Sequence, residues 1–323
     1  MRLCRFQLEN EVKVGLYYDD EVVDLEKLYE RYSSEDREAP TLKPFSVSPI
    51  ELLKSEREIP TLMERVESFY RQLDEDDAIR RAVTFSSRDV KILTPVPTPS
   101  KMFFLAGNYA EHIEEGGGAA EEKEFTFPYF FMKPPSTTLT NPGDPIKLPT
   151  VSPDHIDWEV ELGVIIGRRA KGVKAEDALD IVAGYTVVND VSDREFRPNP
   201  NRKRRDLDDF FDWLHGKWHD TFAPMGPCIA SKAQIPDPQN LRITLRVNGE
   251  TMQDSNTRNM IFSVAELIEF ISNVVTLEPG DLISTGTPSG IGATRGVYLK
   301  SGDVVEAEIE KIGVLRNPVQ REL

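Results

Sequence analysis

Long apolar runs are missing from the 323-residue sequence, and none approaches the roughly 18 residues needed to cross a bilayer. The opening MRLCRFQLENEVKVG carries acidic side chains where a secretory leader needs an apolar stretch. The expectation is a soluble, cytoplasmic protein with no membrane partner. Cysteine is almost absent: Cys4 and Cys228 provide neither a disulfide framework nor a thiolate metal cage. Positive charge is short as well, with 39 Lys and Arg against 55 Asp and Glu and a net charge of −16. That balance argues against nucleic acid as a partner, and solubility is the simplest account of it. No G-x-G-x-x-G or P-loop pattern occurs, so a nucleotide-binding fold has no support. Histidine is scarce: His112, His155, His215 and His219 are all there are. His215 and His219 stand four apart, but with no H-E-x-x-H pattern and no cysteine partner a zinc site is disfavoured.

What is present is a composition ordinary for a globular protein, 39% hydrophobic and 29% charged, on a chain long enough for one large domain or two. RLCRFQLEN and VKVGLYYDDEVVDL read as a hairpin of short strands with turns at Glu9-Asn10 and Asp19-Asp20. Two amphipathic helical patterns follow, near 48–58 and 60–76, with Pro49 at a helix start. VKILTPVPTPSK then breaks any helix, which divides the chain into a small N-terminal α/β domain, 1–95, and a larger one, 96–323. In the larger part, strands MFFLAG, PYFFMK, WEVELGVIIG, GYTVVND, LRITLRVNG, GDLISTG and DVVEAEIEKIGVL outnumber helical patterns at 175–184 and 262–275. This predicts an α+β fold around a mixed or rolled sheet rather than a doubly wound one.

One stretch, HIDWEVELGVIIG, stands out. LGVIIG reads as a strand buried on both faces, while Asp157, Glu159 and Glu161 precede it at every second position, where strand geometry points them one way. An isolated E-x-E is ordinarily the solvated face of an edge strand. This one abuts a central strand, and Asp190 ends a second apolar strand, GYTVVND. Three carboxylates gathered at strand ends repel unless a cation neutralises them, and an all-oxygen set suits Mg²⁺, Mn²⁺ or Ca²⁺ better than zinc.

DWEVELGVIIGRRAKGV and DIVAGYTVVNDVSDRE, with GNYAEHIEE, PGDPIKLP, GKWHDTFAPMGP and LEPGDLISTGTPSGIG, resemble the fumarylacetoacetate hydrolase family over 98–323. Residues 1–95 resemble the small N-terminal domain of bacterial members. The resemblance implies the family's mixed β-sheet roll and a divalent cation, usually Mg²⁺, on Glu159, Glu161 and Asp190, with Asp157 in support. It implies a catalytic pair, His112 and Glu115, on a lid helix, although Glu111 and Glu114 are competing partners, with Gly116, Gly117 and Gly118 as a hinge. Lys217 matches a lysine that stabilises charge on the reacting carbonyl. Thr287 matches a threonine that meets the substrate carboxylate, and Tyr109, in N-Y-x-x-H, is a substrate-binding candidate. A homodimer is implied as well.

The chain also departs from the family. Arg197 replaces a glutamine that reaches the substrate, so its guanidinium either clamps an extra carboxylate or points away. Residues 198–216 form a longer connection than usual, and RKRR followed by DLDD reads as a solvated, self-neutralising loop bordering the site entrance. The leading expectation is a metal-dependent hydrolase cleaving a C–C bond in an acylpyruvate-like β-diketo acid. The alternatives are a 2-oxo acid isomerase or decarboxylase at the same site, or a silent binder of metal and a small acid.

Overall fold

The structure, a computed structural model, describes residues 1–36, 48–53, 58–120 and 123–322. The N-terminal alternation forms strands Arg2–Leu8, Glu11–Tyr18 and Glu21–Asp24. Glu9 and Asp19 take the positive φ that tight turns require, +55° and +58°. Helices Leu25–Glu35 and Glu58–Gln72 pack on these strands through Leu16, Leu28, Met63 and Val66. Of the two expected helical patterns, the first forms helix Pro49–Leu53 and then runs into 54–57, outside the described residues. The second stops at Gln72, because Asp77 caps a new short helix, Ala78–Val83.

These strands do not end in a sheet of their own. Arg2–Leu8 pairs antiparallel with Ala223–Ser231, Leu3 opposite Ile229. The sheet then continues through Val182–Asn189, Val160–Ile166, Leu282–Ser284 and Met102–Ala106 to Tyr129–Met132. Most neighbours are antiparallel, with Leu282–Ser284 and Met102–Ala106 parallel, so the α+β expectation of a large mixed sheet holds. A second sheet of five strands, Ile146–Leu148, Arg242–Val247, Glu250–Asn256, Val304–Ile309 and Gly313–Arg321, packs against it.

The strand Val160–Ile166 is buried along its whole length. Its even positions, Val160, Leu162, Val164 and Ile166, join the core shared with Ile243, Leu245, Val305 and Ala307 of the second sheet. Ile165 faces the other way, toward Met102 and Phe104. The period of two therefore turns Glu161 away from the inter-sheet core. Helix Val264–Val274 closes that core with Leu267, Ile268 and Ile271, and starts in a capping box of Ser263 and Glu266.

Several expected elements differ. The pattern at 175–184 is a 3₁₀ helix, Ala175–Ile181; Val182 and Ala183 already belong to a fully buried strand, where extended backbone suits a β-branched residue. DVVEAEIEKIGVL is two strands joined by a tight turn at Lys311 and Gly313, φ +67° and +131°. The stretch expected as a loop before Lys217 contains a helix, Asp208–Gly216. No helix among the described residues is long and apolar enough to cross a membrane.

Candidate active site

The antiparallel pairing that sets Val160 opposite Asn189 brings the ends of two central strands side by side. Asn189 Oδ1 accepts the Glu159 backbone N–H at 3.0 Å, and the Asp190 N–H donates to the Glu159 carbonyl at 2.8 Å, so the two ends are locked in register. Glu159, Glu161 and Asp190 are all buried, and one carboxylate oxygen from each lies within 4.8 Å of the others. Asp157, the fourth acid of the stretch, does not join them. It sits in a separate two-residue pairing with Ser192–Asp193 and accepts N–H bonds from Trp158, Gly292 and Ala293. The row of carboxylates is broken at Trp158 and Glu159, which lie in neither strand.

The three clustered acids differ in environment. Glu159 accepts from Lys217, Arg194 and Ser192; despite burial, the Lys217 and Arg194 charges hold its carboxyl well below the usual range. Glu161 Oε2 accepts from Ser284 Oγ at 2.6 Å and from the Gly286 N–H at 2.9 Å, while its Oε1 is buried without a hydrogen-bond partner. Burial and the adjacent Asp190 and Glu159 charges push the Glu161 carboxyl well above its ordinary value. An orphaned oxygen on a disfavoured carboxylate, aimed among two other acids, is what a divalent cation would satisfy. The all-oxygen donor set fits Mg²⁺ or Mn²⁺.

Two buried lysines face the same acids. Lys217 Nζ donates to both Glu159 oxygens at 3.0 Å and to Asp190 Oδ2 at 2.7 Å. Burial opposes its charge, but Asp190 and Glu159 outweigh that and raise its pKa. Lys133, not singled out from sequence, forms an ion pair with Asp190 and donates to the Val191 and Phe222 carbonyls; burial lowers it to about 8. Arg194 was missed as well, although it stands four residues beyond Asp190. It bridges Asp157 Oδ2 at 2.8 Å and Glu159 Oε1 at 2.5 Å. Arg194→Ala leaves two buried acids without a guanidinium and is expected to cost about 3–5 kcal/mol of stability. Urea unfolding measures this, and an unchanged midpoint would contradict the bridging role.

Across from the acids, the short helix Ala110–Glu115 carries His112, whose Nδ1 lies 3.0 Å from Glu115 Oε1. Of the three competing acids, Glu111 instead accepts from Ser255 Oγ at 2.6 Å. The Gly-rich segment after Leu282–Ser284 ties the parts together. The Gly286 N–H donates to Glu161, Gly290 to Glu115 and Gly292 to Asp157. Gly290 has φ +101°, and a Cβ there would stand 2.1 Å from the Met252 carbonyl, so no other residue fits. Thr287 donates its hydroxyl hydrogen to the Val160 carbonyl and accepts from Gln253, a buried amide that sequence reading overlooked.

A cavity of about 230 Å³ lies between these groups, with His112, Glu159, Arg194, Lys217 and Thr287 on its walls. Phe131 and Trp213 supply its aromatic side. Tyr109 is wholly enclosed and Arg197 is exposed, and neither lines this cavity. His155 contacts Glu195 and the Tyr298 ring; His219 contacts Asp193, while His215 lies tilted against the Phe211 and Trp218 rings. No metal-ligating group among the described residues includes a histidine.

A model of the fumarylacetoacetate (FAA) hydrolase C-terminal domain matches residues 101–320. The chain belongs to this family. It is 42% identical over 268 residues, 80% of this chain and 81% of the other, to a protein of Bos taurus named oxaloacetate tautomerase FAHD2A, mitochondrial. Among solved structures, maleylpyruvate hydrolase from Sphingobium sp. SYK-6, in complex with manganese(II) and pyruvate, aligns over 100% of both chains. Its identity is 28% and its TM-score 0.71. The 2-hydroxyhepta-2,4-diene-1,7-dioate isomerase of Mycobacterium marinum aligns over 100% of this chain and 99% of its own, with 28% identity and a TM-score of 0.67. The chain is thus an enzyme of the fumarylacetoacetate hydrolase superfamily, whose relatives include tautomerases, isomerases and hydrolases of small acids.

Proposed function

We propose that this family member catalyses proton transfer beside the carbonyl of a small 2-oxo acid, a keto–enol tautomerisation of the oxaloacetate type, with a divalent cation on Glu159, Glu161 and Asp190. The observation that carries the reading is that His112, held by Glu115, lines the same 230 Å³ cavity as Lys217 and Glu159 of the acid cluster. When bound, the cation would supply Lewis acidity toward the 2-oxo carboxylate unit. Glu115 can only accept, so it fixes the hydrogen of His112 on Nδ1 and leaves Nε2 as the base. Nε2 takes the proton from the carbon next to the carbonyl and, as imidazolium, returns it to the carbonyl oxygen. Lys217 offsets the negative charge that builds on that oxygen in between. The oxaloacetate tautomerase name of the 42% identical relative supports this choice.

The hydrolase reading stands second, because the same Nε2 can take a proton from water and the maleylpyruvate hydrolase shares the fold. The deciding assay follows the ultraviolet absorbance of the oxaloacetate enol with Mg²⁺ or Mn²⁺, beside pyruvate release from acylpyruvates. Metal-dependent acceleration of the enol decay is expected. Pyruvate release alone would favour the hydrolase, and neither activity would defeat both readings.

A homodimer is proposed as well. The last strand of the large sheet, Tyr129–Met132, leaves Tyr129 and Met132 exposed beside Phe125 and Phe127. An edge strand with exposed apolar side chains of this kind favours pairing. Light scattering is expected to give twice the 36.6 kDa chain mass, and a monomer would refute it.

A further inference from the structure

Helix Asp208–Gly216 lies in the connection between Arg197 and Lys217, and it brings an indole to the site. Trp213 lines the cavity with Phe131, the two rings meeting edge to face at 4.9 Å. Lys217 Nζ lies 5.4 Å from the Phe131 ring and 5.9 Å from the Trp213 ring. The aromatic wall therefore adjoins the cation that would meet the reacting oxygen.

That wall is held from both ends. At the start of the helix, Arg202 pairs with Asp208 and Asp212, and Arg205 with Asp208. The basic run is the self-neutralising loop expected, and its partners are acids of this helix. At its end, Gly216 lies so close to Asp193 that a Cβ would stand 2.4 Å from the Asp193 carbonyl. Two residues on, Trp218 Nε1 donates to the Met132 carbonyl at 2.7 Å. The helix that carries the ring is thus anchored at both ends, and 230 Å³ is below the usual range of ligand cavities, ~300–1,000 Å³.

We infer that Trp213 is the specificity-determining residue of the site: its indole ends the cavity and restricts it to 2-oxo acids with short substituents. The inference rests on the reading of the site as a 2-oxo acid site. Trp213 touches no metal-ligating oxygen among the contacts described, so replacing it alters the room for substrate and not the acid cluster.

The test titrates Mn²⁺-loaded wild type, Trp213→Ala and Trp213→Phe with pyruvate, 2-oxobutanoate, 2-oxohexanoate and 2-oxooctanoate by calorimetry. Wild-type affinity is expected to fall at least ~10-fold along the series. Trp213→Ala should bind 2-oxooctanoate at least ~10-fold more tightly than wild type, with pyruvate changed less than ~3-fold. Trp213→Phe, the milder change should the alanine variant not fold, should gain about 3-fold at the long end. Parallel length profiles in all three proteins would overturn the role of Trp213 and leave the site reading intact. Failure of all three to bind any of these acids would remove the site reading, and this inference with it.

Discussion

Glu161→Gln is expected to abolish Mn²⁺ binding in calorimetry and to lower kcat at least ~10³-fold, while the metal-free protein keeps or gains thermal stability. The first effect follows from the ligand set. The substitution removes one negative charge from three clustered carboxylates and replaces an acceptor oxygen by an amide donor where a cation would sit. Loss of Lewis-acid stabilisation worth several kcal/mol corresponds to about three powers of ten in rate. The second effect has the opposite sign for a physical reason. Burial and the Asp190 and Glu159 charges raise the Glu161 carboxyl in the folded protein. A carboxyl with a raised folded pKa costs stability once pH climbs above its unfolded value, and at neutral pH that cost is present. Glutamine removes it and retains an oxygen for Ser284 Oγ and the Gly286 N–H. A variant that binds Mn²⁺ as wild type does would show that Glu161 is not a ligand. A lower melting temperature without metal would show that the charge is not strained.

His112→Ala is expected to lower kcat ~10²–10⁴-fold, the usual worth of a positioned base, with Mn²⁺ affinity unchanged. The ring is half-buried on a short helix, away from the sheet core, so its removal leaves the fold intact. Glu115→Gln is the companion. Its carboxylate also accepts the Gly290 N–H and the Thr294 hydroxyl, so a smaller fall in kcat should come with a modest loss of thermal stability. Rates measured under metal saturation separate these variants from Glu161→Gln. Full activity in His112→Ala would move the proton-transfer role to another residue on the cavity wall.

How far the site was legible depended on whether its residues announced themselves locally. Glu159, Glu161 and Asp190 did, because carboxylates directly before or after an all-apolar run are out of place, and the geometry brings them together. Asp157 shows the limit of the period-two argument. The chain leaves the strand at Trp158 and Glu159, and the first acid turns to Arg194 and the Gly292 and Ala293 amides. Arg194 and Lys133 were hidden because their importance lies in burial beside acids far along the chain. A lone arginine or lysine in sequence reads as surface.

Two elements escape a local reading because local chemistry conflicts with tertiary packing. Ala223–Ser231 contains Pro224, Gly226 and Pro227, which discourage a strand, yet all nine residues are buried between two partners. The sheet supplies what local propensity withholds. Asp208–Gly216 was concealed by the reverse effect. Acidic residues at a helix start look like a polar loop until the RKRR run is seen folded onto them.

The pairing of Leu3 with Ile229 has a consequence for how the chain is made. Roughly 225 residues separate these partners, which the ribosome, adding ~5–20 residues per second, takes roughly 10–45 s to supply. For that interval Arg2 and Leu3 lack a partner on one edge, while Arg5, Phe6 and Gln7 pair there with Lys91–Leu93 once that strand has emerged. The strand that will cover Arg2 and Leu3 also abuts Val182–Asn189, whose end positions Asp190. The acid-bearing strand Val160–Ile166 waits longer still, because its second neighbour, Leu282–Ser284, is made after Ala223–Ser231. The early pairing with Lys91–Leu93 therefore shields most of the first strand's open edge long before its final neighbour exists.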